Sequence, residues 1–189
     1  MLALCLPQMA LAHSPIEGIG QFYSGLLHPL LVPAHALALV LFALLLGQAG
    51  ISGMRMGYPP FLLFLGVGLI LAGFNIPIGI NRELALLGIA LLCGSLVAFQ
   101  WRPPVALLAL VGTGLGLVMG ADSGVDGLSR QQTFAALLGC WLGAVVALIV
   151  IAGVVELLKR PWQRVAVRVL GSWGVASSVL VLALATLRS

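Results

Sequence analysis

The sequence predicts an all-α integral membrane protein: a bundle of six transmembrane helices after a signal-like N-terminal segment. Three observations predict it. Of the 189 residues, 61% are hydrophobic and only 7% are charged, more apolar surface than a soluble domain of this size can bury. The mean hydropathy is +1.18. The apolar residues also come in runs of about 20, the length a helix needs to cross the hydrocarbon core, and not in the short alternating segments of a barrel.

Residues 1–12 are apolar and end Ala10-Leu11-Ala12 before His13, like the cleavage site of a secretory signal, although no positive residue precedes the apolar run. Residues 13–189 then form a single six-helix membrane domain. The first span is expected over about 24–48, and residues 50–60, with Gly50, Arg55, Pro59 and Pro60, read as a turn. The second span is expected over about 61–79, ending near Asn75-Ile76-Pro77. The third covers about 83–100, before the turn Trp101-Arg102-Pro103-Pro104. The fourth covers about 104–119, followed by a polar, turn-rich stretch to Arg130. The fifth covers about 131–158, the basic connector runs from Lys159 to Arg168, and the sixth span covers about 165–187. None of the connectors is long enough for a soluble domain. Gly112, Gly116 and Gly120 recur every four residues along the fourth span, and Gly139 and Gly143 do so on the fifth. Small residues at that spacing let helices pack backbone to backbone in lipid.

The nine basic residues and a pI of about 9.5 do not indicate nucleic acid, because the charges are spread thinly between spans. They orient the bundle instead. One side collects Arg55, Arg102, Lys159, Arg160, Arg164 and Arg168, the other Arg82, Arg130 and Arg188. The first side is expected in the cytoplasm and the mature N-terminus outside. Glu17, Glu83, Asp122 and Asp126 then share the outer side with His13 and with the stretch that carries the most chemistry.

That stretch runs from Gly25 to Val40, at the head of the first span, and holds His28 and His35. A ring that can become cationic is costly in hydrocarbon and is a site candidate by default. Seven residues along a continuous helix would set the two rings on one face about 10 Å apart, too far for one small ion. Pro29 and Pro33 interrupt the helix, however, and a break there would bring the rings closer. Imidazole nitrogens suit Ni²⁺, Co²⁺, Cu²⁺ or Zn²⁺. His28, His35 and Asp122 would make a sparse N/O site, Met119 could add a sulfur, and His13, as a mature N-terminus, could bind metal through its amine and ring. The competing structural readings make Asp122 and Asp126 solvated turn residues, His28 an interfacial cap and His35 a buried ring bonded to a carbonyl. Cys5, Cys93 and Cys140 show no C-x-x-C spacing and form no disulfide framework; within spans, Cys93 and Cys140 read first as small packing residues. The chain has no G-x-S-x-G, phosphate loop or H-E-x-x-H, so no enzymatic activity is expected.

His28-Pro29-Leu30-Leu31-Val32-Pro33-Ala34-His35 resembles the His-Pro-x-x-Gly-x-Asp-His pattern of the HupE/UreJ family of hydrogenase- and urease-associated membrane proteins. Val32 stands at the Gly position and Ala34 at the Asp position. Ile89 to Pro104 resembles the family's third span and following turn. Met119-Gly120-Ala121-Asp122-Ser123-Gly124 stands where many members carry His-Gly-x-x-His-Gly, with the glycines kept and the histidines absent. The resemblance implies a bacterial inner-membrane permease that takes up nickel or cobalt through a path near His28 and His35. Its partners would be the lipid bilayer and the transported ion, with no resident cofactor. A second copy of the chain or an accessory membrane protein stays open as a further partner. The replaced ligand positions favour the alternative, a non-transporting accessory or scaffold protein of the membrane.

Overall fold

The computed structural model describes residues 20–77, 79–125 and 127–187, with side chains to residue 184. The signal-like segment, His13, Glu17 and Asp126 lie outside the described residues. All regular structure among the described residues is helical: α1 (Gly20–Leu31), α2 (Pro33–Gly73), α3 (Arg82–Ala98), α4 (Val105–Asp122), α5 (Arg130–Leu157) and α6 (Pro161–Leu187). Four of these, α2, α4, α5 and α6 to residue 184, are long and apolar enough to cross a membrane.

The 41-residue α2 is not one rod. Gly50 has φ +77° and ψ −165°, a conformation essentially reserved for glycine. Helical geometry resumes immediately after it, and the chain doubles back. Phe42 and Phe61 would stand about 28 Å apart on a straight helix, yet their ring centroids are 6.1 Å apart. Two antiparallel arms, 33–49 and 51–73, therefore meet at a single residue. The expected turn over 50–60 is corrected accordingly: Pro59 and Pro60 stay inside the second arm. They free the carbonyls of Arg55 and Met56, and both of those residues are exposed.

The expected first span is also divided. Val32 is extended (φ −80°, ψ 116°) and Pro33 occupies the first helical position of α2, where its missing N–H costs nothing. Pro29, by contrast, stays within α1. The later boundaries follow local chemistry. Asn81 caps α3 by accepting from the Leu84 N–H. Ser129 and Gln132 form a reciprocal capping box at α5. Pro161 opens α6, inside the expected basic connector. α4 continues to Asp122, three residues past the expected end of its span, so Asp122 closes a helix and does not lie in the turn.

The core lies between the arms of α2 and α4, around Phe42, Leu45, Phe61, Leu65, Leu115 and Met119. The glycine ladder of α4 faces the second arm. A Cβ on Gly112 would sit 2.8 Å from the Gly57 carbonyl oxygen, one on Gly116 2.5 Å from that of Phe61, and one on Gly120 2.5 Å from that of Leu65. Each step of four on α4 meets a step of four on α2, so the two helices run parallel in backbone contact. The shorter ladder does the same for α1: Gly139 and Gly143 face the backbone of Phe22 and Leu26, and Gly25 faces that of Ala136. α6 packs chiefly on α3, where Gly94 and Gly171 let the helices approach.

Candidate functional site

The break at Val32 sets the geometry of the site. Val32 N–H still donates to the His28 carbonyl (3.1 Å) and the Val32 carbonyl still accepts from Ala36 N–H (2.9 Å), so the chain bends without unravelling. The bend brings the His28 and His35 rings to a centroid separation of 5.1 Å, edge to face at 82°.

His35 is fully buried, and its partner comes from the far end of α4. His35 Nε2 lies 3.0 Å from Asp122 Oδ2. A carboxylate only accepts, so Nε2 carries the proton and donates. The other ring nitrogen, Nδ1, is buried and has no hydrogen-bond partner. In the neutral ring that nitrogen is a lone pair. A carboxylate on one imidazole nitrogen with the other left as donor atom is how metal-binding histidines are oriented and made more basic.

Asp122 is tied on both oxygens. Arg82, at the start of α3, places Nε 3.4 Å from Oδ1 and donates from Nη1 to the Ala121 carbonyl at 2.7 Å. The exposure falls inward along this chain: the Arg82 side chain is 44% exposed, Asp122 22% and His35 0%. Arg82 and Asp122 line a cavity of about 290 Å³ together with Asn75, Pro77 and Gly124. Water therefore reaches the carboxylate but not the imidazole behind it. Next to Asp122, Ser123 Oγ donates to the Met119 carbonyl (2.8 Å) and accepts from Cys140 S–H (3.3 Å). This gives Cys140 a polar contact, whereas Cys93 is simply buried.

Of the residues singled out in the sequence, His28, His35 and Asp122 are thus brought to one end of the bundle. Asp122 is neither a solvated turn residue nor an open ligand, because both of its oxygens are engaged. Among the described residues no three His, Cys, Asp or Glu side chains converge on a single point; the arrangement is a carboxylate–imidazole pair with a second imidazole at its edge. Arg82 was not singled out in the sequence. Its one available signal was its place among the few basic residues on the side that holds most of the acidic ones. Of the glycines kept from the second motif, Gly120 packs against the α2 backbone, whereas an added Cβ on Gly124 would meet only the Ala72 Cβ and carbonyl at ordinary contact distance.

The chain matches the family model described as HupE / UreJ protein over residues 1–182. Comparison with curated proteins and with solved structures gives no match.

Proposed function

The chain belongs to the HupE/UreJ family, and on that premise we propose that it is a permease for a divalent metal, nickel or cobalt, whose ion passes the His28–His35 pair. The observation that carries the reading is the unpartnered Nδ1 of a buried histidine whose opposite nitrogen is held by a carboxylate. In this reading His35 ligates through Nδ1 and His28 supplies a second imidazole. Asp122 is a positioning residue that fixes the His35 tautomer. The ion itself is the cargo and no bond is made or broken, so no catalytic residue is assigned.

Arg82 is the nearest competitor. Its guanidinium occupies Asp122 at the mouth of the cavity, so a cation approaching from that cavity meets a positive charge first. Titration of the purified protein with Ni²⁺ and Co²⁺ tests the reading. Saturable binding is expected at neutral pH. Protons and metal compete for the same nitrogen lone pairs, so binding should weaken at acidic pH. Arg82→Gln is expected to tighten binding by about tenfold, the effect of removing one nearby like charge worth about 1.4 kcal/mol. Absence of saturable binding at either pH in both proteins would leave the accessory or scaffold reading in place.

The localisation proposed is the bacterial inner membrane, with the end bearing Arg102, Lys159 and Arg164 in the cytoplasm. The basis is the excess of Lys and Arg at that end. A cysteine introduced at Arg164 should resist an impermeant thiol reagent in intact cells and react after lysis. Ready labelling of intact cells would reverse the orientation.

A further inference from the structure

The opposite end of the bundle holds a cavity of about 160 Å³ that the permease reading does not use. Its charged and polar lining comes from three separate connections of the chain: Gln48 beside the α2 reversal, Gln100 and Arg102 between α3 and α4, and Glu156, Lys159 and Arg164 around the α5–α6 junction. The Lys159 ammonium pairs with the Glu156 carboxylate. The Arg102 and Arg164 guanidiniums have no carboxylate or hydrogen-bond partner among the described residues. Arg168, close by, is different: it donates to the Ala98 carbonyl at 3.0 Å and is tied down. Three cations thus face one space with one carboxylate between them, and two of the three are unmatched.

Like charges gathered on one cavity repel unless an anion occupies it. Unpaired guanidiniums present parallel N–H donors in the geometry that fits a phosphate. The cavity also lies between helices at the basic end of a bundle with membrane-spanning helices, where phosphate headgroups are found. Trp101 and Trp162, both exposed, flank it in sequence, as interfacial aromatics do. Gln48, whose Nε2 donates to the Val97 carbonyl at 3.3 Å, and Gln100 add neutral amides suited to the hydroxyls of a glycerol headgroup.

We propose that this cavity binds a phosphate-bearing headgroup, that of an anionic phospholipid such as phosphatidylglycerol, through Arg102 and Arg164. The site is independent of the metal path and of any ion bound there.

The test uses the full chain in a neutral detergent and follows the thermal unfolding midpoint. Phosphatidylglycerol is expected to raise the midpoint saturably and phosphatidylcholine to leave it unchanged. The double variant Arg102→Gln/Arg164→Gln should weaken the apparent affinity at least tenfold. Arg55→Gln and Arg160→Gln remove equal charge from exposed residues outside the cavity and should change it less than twofold. Equal loss in these controls, or equal stabilisation by phosphatidylcholine, overturns the site in favour of a diffuse surface attraction. Inorganic phosphate is titrated in parallel. A saturable effect of phosphate that depends on both arginines, with none from phosphatidylglycerol, would overturn the lipid assignment and leave a site for soluble phosphate. If the double variant does not accumulate, Arg164→Gln alone, a change at an exposed side chain, gives the same comparison with a smaller loss.

Discussion

His35→Ala is expected to abolish saturable Ni²⁺ and Co²⁺ binding, a loss of at least a hundredfold in affinity. The substitution removes the one ring, among the described residues, that is buried, held by a carboxylate on one nitrogen and unpartnered on the other. Asp122→Asn separates orientation from charge. The amide oxygen can still accept from Nε2–H, but it brings no negative charge to balance a cation bound on the far side of the ring. Loss of such an outer partner commonly costs about 10–100-fold in metal affinity, and a loss in that range is expected here. Asp122→Ala goes further and leaves a buried N–H unpaired, which costs about 1–3 kcal/mol of stability, so its melting midpoint should fall as well. Isothermal calorimetry and thermal melts on the same preparations distinguish the two effects. Affinity unchanged in Asp122→Asn would show that the carboxylate does not act through His35, and retained binding in His35→Ala would move the site elsewhere.

The second large effect concerns the glycine ladder. Gly116→Leu is expected to prevent accumulation of folded protein. Even the first carbon of the new side chain would stand 2.5 Å from the Phe61 carbonyl oxygen and 2.8 Å from the Leu65 amide nitrogen, and backbone cannot rotate away as a side chain can. The parallel pairing of α4 with the second arm of α2 would have to open along its length. We expect about 4 kcal/mol or more of destabilisation, among the largest effects of single substitutions. Gly88→Leu is the control, because a Cβ there meets nothing within 4 Å. A Gly116→Leu protein that melts like the parent would mean that α4 and α2 are not in backbone contact.

These two predictions differ in how far the sequence foretold them. The ladder was legible because a repeat of four on one helix is a local pattern, and lipid favours backbone contact wherever small residues line up. The approach of His28 to His35 was legible as a tendency. Two prolines announced a break, but which of them would act depended on the neighbours. Pro29 is buried within α1, while Pro33 had a free start of helix to occupy.

Asp122 was legible as a residue of the same site and side as His35, but not as its bonded partner. Asp122 lies 87 residues away, and only the stacking of α4 on α2 makes them neighbours. At position 34, where the family pattern places a carboxylate, this chain has alanine. A carboxylate from α4 stands beside the same histidine instead. The role of Arg82 carries no signal in the sequence for the same reason, since it depends on Asp122. The turn expected over 50–60 contracts to its first residue, Gly50, although Pro59 and Pro60 look like stronger breakers than a lone glycine. Near the water-exposed end of a helix the carbonyls they release need no protein partner, so the helix runs through them.

The reversal at Gly50 also bears on how the protein is made. One residue joins the two arms, so no hydrophilic loop exists there to be held on one side while the second arm is threaded. Arms joined this closely would enter a bilayer together, as one hairpin with Phe42 set against Phe61. Biogenesis of this chain would then proceed through a preassembled hairpin to which the later helices are added, with α4 docking onto a surface that is complete before α4 has been synthesised.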